Sequence, residues 1–87
     1  MSVKLKQIAP NFTSVEMGDV TIYFSYETAV GFHVAGKGYT VVENQWGPTT
    51  GKHLNKIEPD HKKRVSLEAM NARLAIALRD NLNLAEV

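Results

Sequence analysis

The stretch Val20-Thr21-Ile22-Tyr23-Phe24-Ser25-Tyr26 decides the fold class. In an extended chain Val20, Ile22, Phe24 and Tyr26 share one face, and Thr21, Tyr23 and Ser25 share the other. Strict alternation with β-branched and aromatic residues is what a half-buried strand requires. Upstream, Phe12–Met17 reads as a further strand, closed by the turn signal Gly18-Asp19. Downstream, Glu27-Thr28 breaks the run. Residues 29–35 alternate again, with Val30, Phe32 and Val34 on one face and Gly31 and His33 on the other. Gly36-Lys37-Gly38 makes a tight connection into a strand over residues 39–44. Short connections favour antiparallel neighbours, so about residues 11–44 read as a meander of three or four strands.

The second half reads as helix. Ser66 is a good N-cap, and Val65 and Met70 have the spacing of a hydrophobic staple. Glu68 sits in the first turn, where the helix dipole favours an anion. Leu67, Met70, Leu74, Ala77, Leu78 and Leu82 form one stripe at helical spacing, able to cover a sheet face. A long helix is therefore expected over about residues 66–83. Ala69, Ala72 and Ile76 line up on its other side. They are either good helix formers in water or a second contact face, for instance for a second copy of the chain.

Eighty-seven residues allow one small domain, expected to span 1–87, with a thin core. The chain has no cysteine, hence no disulfide framework, thiolate nucleophile or cysteine zinc site. A reducing cytoplasm fits best. The lysines of residues 1–8 are not followed by an apolar run, which argues against a signal peptide. No stretch has the roughly 20 apolar residues of a spanning helix. Hydrophobic residues make up 44%, too many for disorder at a charged content of 22%. The net charge of +1 is too balanced for indiscriminate coating of a polyanion.

That total hides an uneven distribution. Residues 52–64 carry Lys52, Lys56, Lys62, Lys63 and Arg64 against Glu58 and Asp60, a net of +3, between two flanks each of net −1. The run Lys62-Lys63-Arg64 stands just before a helix N-terminus, where the dipole gives cations no support, and no folding reason for it is visible. It reads either as a solvated connection or as a contact for an acidic partner.

The turn and short helix of about residues 45–58 hold the other candidate side chains. The helix is expected over about residues 50–57, ended before Pro59. Thr49 or Thr50 can cap it, and its free N–H groups beside Lys52 make an anion site conceivable. Gly47-Pro48-Thr49-Thr50-Gly51-Lys52-His53 falls short of a phosphate-binding P-loop. It has three residues, not four, between the glycine and Gly-Lys, and His53 stands where Ser or Thr would hold magnesium. Trp46 is read first as a core or hinge anchor and second as a stacking platform for a base. His53 and Asn55 suit local hydrogen bonds around the turn. His33, His53 and His61 are spaced like no compact zinc set, so no metal is expected. No nucleophile elbow and no working carboxylate pair is present, so no catalytic residue and no cofactor is assigned.

Tyr26-x-Thr28-x-Val30 followed by Trp46-x-x-Thr49-Thr50-x-Lys52-His53-x-Asn55 resembles a small uncharacterised domain found in bacteriophage-encoded proteins. The resemblance covers about residues 20–82. It implies a short strand-then-helix domain, a viral accessory protein acting in the host cytoplasm, and a linked set from Trp46 to Asn55, without any activity.

The expectation is an α+β domain: a small antiparallel sheet, a short helix, then a long C-terminal helix packed on the sheet. The function expected first is modest-affinity binding of nucleic acid or another polyanion. Lys52, Lys56, Lys62, Lys63 and Arg64 would meet phosphates, beside Trp46, Thr49, Thr50, His53 and Asn55. The alternative is a module that binds a host or phage protein and has no enzymatic activity. A homo-oligomer through Ala69, Ala72 and Ile76 is a separate expectation.

Overall fold

The computed structural model describes residues 3–82. Five strands form one antiparallel sheet in sequence order: β1 Val3–Ala9, β2 Phe12–Met17, β3 Val20–Ser25, β4 Thr28–Val34 and β5 Tyr39–Val41. Helix α1 (Pro48–Ile57), a single 3-10 turn (His61–Lys63) and helix α2 (Leu67–Leu82) follow. The class is the expected one, an α+β domain with a short helix and a longer C-terminal helix.

The register sorts the side chains. Val20 pairs with Val34 and Ile22 with Phe32, so these four share a face. Met70 and Ala77 of α2 join that face in one core cluster, with Leu67, Leu74 and Leu78 packed against it. The helical stripe thus covers the sheet as its spacing requires, mainly over β4 and β3. The side chain of Leu82, the last of the expected stripe, and residue 83 lie outside the described residues. Ser66 accepts the Ala69 N–H at 3.1 Å, as an N-cap should.

The second face carries Phe12 opposite Ser25, Ser14 opposite Tyr23, and His33 opposite Tyr39. Gly31 lies between Tyr23 and Val41 on this face. A Cβ on Gly31 would stand 3.0 Å from the Thr40 carbonyl oxygen, so the close approach of β5 depends on the missing side chain.

The sheet has one strand more than the three or four expected. β1 is the addition, and residues 3–8 are all exposed. Alternation signals a strand only where one face is buried. β1 is held by its ladder with β2 instead, and Val3 and Leu5 stay 61% and 74% exposed. Helix α1 differs slightly from expectation. α1 begins at Pro48 because proline suits the first helical position, so Thr49 and Thr50 lie inside the helix and neither caps it.

After β5 the chain leaves the sheet and returns to it. The Val65 N–H donates to the Val41 carbonyl at 2.8 Å, and the Glu43 N–H donates to the Val65 carbonyl at 2.8 Å. These bonds make a parallel bridge between Val42 and Val65. Everything from residue 43 to 64, including α1, is an excursion closed at its neck.

Candidate functional site

The excursion holds every candidate binding residue, and α1 sorts them by face. Thr50, His53 and Leu54 are buried, as positions three and four apart on one side of a helix should be together. Leu54 joins the main core. Thr50 and His53 reach the end of β3 instead. There the Ser25 hydroxyl lies 2.8 Å from the Thr50 hydroxyl and 2.7 Å from His53 Nδ1. The His53 ring stacks on Phe12 with centroids 4.7 Å apart and planes at 6°. Among the described residues no fully buried side-chain nitrogen or oxygen lacks a partner, so burying this cluster does not leave an unmet hydrogen bond.

A serine this close to a histidine has the spacing of a nucleophile and its base. Two facts make it a joint. Ser25 is only 2% exposed, and its hydroxyl is engaged by Thr50 and His53. No carboxylate is bonded to the imidazole among the described residues, and the ring is held instead by Ser25 and by its stack on Phe12.

Arg64 is also engaged inward. It is 8% exposed, and its guanidinium donates to the Glu58 carbonyl from Nη2 at 3.0 Å and Nε at 3.3 Å. Nη2 also donates to Asn55 Oδ1 at 2.7 Å. Glu58 is the C-cap of α1, so Arg64 satisfies a carbonyl that the helix end leaves open. The sequence offered no folding reason for three consecutive cations. For Arg64 there is one, and it involves a residue six positions back.

Lys52, Lys56, Lys62 and Lys63 are exposed. The one salt bridge among the described residues joins Arg79 and Asp80, so none of these lysines is neutralised there. Lys52 and Lys56 follow Thr49 at helical spacing and form an exposed stripe along α1. Lys62 and Lys63 belong to the 3-10 turn, whose N-cap Asp60 accepts the Lys62 N–H at 3.0 Å.

Trp46 is 42% exposed, so it is no core anchor. Asn44, which the sequence reading took for the end of a strand, sets its position. The Asn44 side-chain oxygen accepts the N–H groups of Trp46 and Gly47 at 3.0 and 3.2 Å, and its Nδ2 donates to the Gly47 carbonyl at 2.9 Å. An Asn bonding the backbone two residues on was the available signal. Gly51 makes room for it, since a Cβ there would stand 3.0 Å from Asn44 Nδ2.

Trp46 borders a groove of about 290 Å³ running to Tyr26, with Ser25, Thr28, Thr49 and Thr50 among the residues lining it. Tyr26 is the second functional candidate that the site reading omitted. It turns β3 into β4 with φ of 57°, a conformation that suits glycine or asparagine and strains an aromatic residue. Its N–H donates to the Asn11 carbonyl at 2.7 Å, while its side chain leaves the residue 55% exposed. No signal in the sequence marks Tyr26 as left-handed.

A second aromatic group lies on the sheet. His33 stacks on Tyr39 at 4.5 Å, and Tyr39 lies 6.2 Å from Tyr23. Partial burial, then Tyr39 and Glu16, hold the Tyr23 hydroxyl above its ordinary value. No group of three or more metal-ligating side chains exists among the described residues.

Residues 3–72 match the model of a family of unknown function, DUF8033. The chain belongs to that family. No curated protein and no solved structure matches the chain. No helix among the described residues is long and apolar enough to cross a membrane.

Proposed function

We propose that this DUF8033 chain binds single-stranded nucleic acid with modest affinity through the outward half of its 46–64 segment. The observation that carries this reading is the stripe Thr49–Lys52–Lys56, exposed and without an ion-pair partner among the described residues, leading away from half-exposed Trp46. Cations along a strand with an aromatic ring beside them are how such ligands are held without sequence preference. Lys62 and Lys63 extend the positive surface. Arg64, His53, Thr50 and Asn55 support it from behind, by fixing α1. The resemblance to phage-encoded domains favours a small accessory protein in the cytoplasm of an infected host.

The lone Trp supplies the test. Titration with an oligothymidylate at about 50 mM salt should quench Trp46 fluorescence. Each phosphate contact contributes about −0.7 to the slope of log affinity against log salt on a single strand, so four lysines set a limit near −3. Absence of binding at that salt would sink the proposal.

A second reading, a protein-binding module, is favoured by β1. It is an edge strand with Val3 and Leu5 exposed, open to an added strand from a partner. Replacing Leu5 with Lys should then abolish recovery of a specific partner from host lysate and leave oligonucleotide binding unchanged.

A further inference from the structure

The groove beside Trp46 has features that neither the fold nor the lysines explain. Tyr26 holds φ of 57° where glycine or asparagine would sit without strain. The fold draws little from its side chain: the residue is 55% exposed, and its ring is tilted 50° to that of His53 at 6.3 Å. Trp46, also exposed, lines the same groove, and Asn44 holds the backbone there through one hydrogen bond to Trp46 and two to Gly47. Two exposed aromatic residues on fixed backbone thus border one concavity.

The lining decides the chemistry. Thr28 and Thr49 are among the lining residues, and no charged residue is. At about 290 Å³ the groove stands at the lower end of small-ligand sites, which run from about 300 Å³. It therefore suits a single flat, neutral, hydrogen-bonding ring. The exposed stripe Thr49–Lys52–Lys56 begins at its rim and carries positive charge away along α1. A neutral slot next to a cationic track matches a base attached to a phosphate chain.

We infer that the groove between Trp46 and Tyr26 is a slot for one nucleobase of a single strand. The ring stacks on the two aromatic side chains, and its polar edge meets the threonine hydroxyls. The inference rests on the proposed single-strand binding and adds the part of the ligand that the lysines do not read. It also accounts for Tyr26, a residue whose backbone strain is repaid by its side chain's contact with the ligand.

Three probes and two variants test it through Trp46 fluorescence. The probes are an oligothymidylate, an abasic oligonucleotide of equal length, and thymidine. The variants are Tyr26→Asn and Tyr26→Phe. The oligothymidylate should bind about ten-fold more tightly than the abasic strand, the effect of one stacked base, and only the former should quench Trp46. Tyr26→Asn should erase that difference while melting at a higher temperature than the parent, and Tyr26→Phe should keep it. Equal binding and equal quenching by both strands would overturn the slot and leave the lysine track standing. Quenching by millimolar thymidine in the parent but not in Tyr26→Asn, with neither strand bound, would make the groove a free-nucleoside site and overturn both the strand slot and the track. Silence toward all three probes overturns both. A lower melting temperature for Tyr26→Asn would assign the ring to the fold and overturn the slot.

Discussion

Thr50 and Lys52 stand two residues apart on α1 and do opposite work. Thr50 and His53 face β3 and form a closed set of hydrogen bonds with Ser25. Lys52 and Lys56 face water and have no ion-pair partner among the described residues. The same division continues past the helix, where Arg64 folds back on Glu58 and Asn55 while Lys62 and Lys63 stay exposed. Residue type does not separate the two halves, since each holds cations and threonines. Helical phase does, because 100° per residue sends neighbours to different environments.

The sharpest way to break this comparison is His53→Ala. It removes the stack on Phe12 and one of the two partners of Ser25, and should cost about 2–4 kcal/mol of stability. Urea unfolding measures it. Arg64→Ala comes next, at about 2–3 kcal/mol, because it leaves the Glu58 carbonyl and Asn55 without their donor. Either variant, studied where it remains folded, should leave the salt dependence of oligonucleotide binding unchanged. Lys52→Gln with Lys56→Gln should do the reverse. Stability should stay within about 0.5 kcal/mol per site, as for surface changes generally, while the salt slope falls by about 1.4. A large loss of stability in the lysine pair, or a changed slope in Arg64→Ala, would erase the division.

A smaller effect concerns the sheet. The Tyr23 hydroxyl is held above its ordinary value in the folded chain, first by burial. As pH rises, the unfolded chain gives up this proton first. Its contribution is complete below the ordinary tyrosine value of about 10 and is lost as pH climbs through the raised folded value. Tyr23→Phe should therefore soften the alkaline fall in melting temperature. Smaller still is any change on Ile76→Lys. Ile76 is 48% exposed, and this substitution alters the mass seen by light scattering only where a second copy docks through Ala69, Ala72 and Ile76.

What could be read from the residues follows the same physics. The alternation of β3 and the stripe of α2 were legible because each buries one face, and burial is what writes periodicity into a sequence. β1 was not legible because it buries almost nothing. In the candidate site the exposed lysines could be anticipated, whereas His53 and Asn55, expected to bond locally around the turn, reach Ser25 on β3 and Arg64 instead. The carbonyl partner of Arg64 could not be anticipated, because a backbone carbonyl leaves no trace in residue type. Tyr26 was hidden for the opposite reason: its conformation contradicts its residue type, and such conflicts gather at functional or strained positions.

The bridge between Val42 and Val65 has a consequence for motion. Because the neck closes on itself, residues 43–64 can detach from β3 and β4 without unzipping the sheet ladder. Such a segment forms a natural unit of partial opening. Its amides should exchange with solvent together, at a lower free energy than those of β3, and a bound strand should slow them as a group. The loop that meets the ligand would then open as one unit apart from the sheet ladder and be set down again by binding.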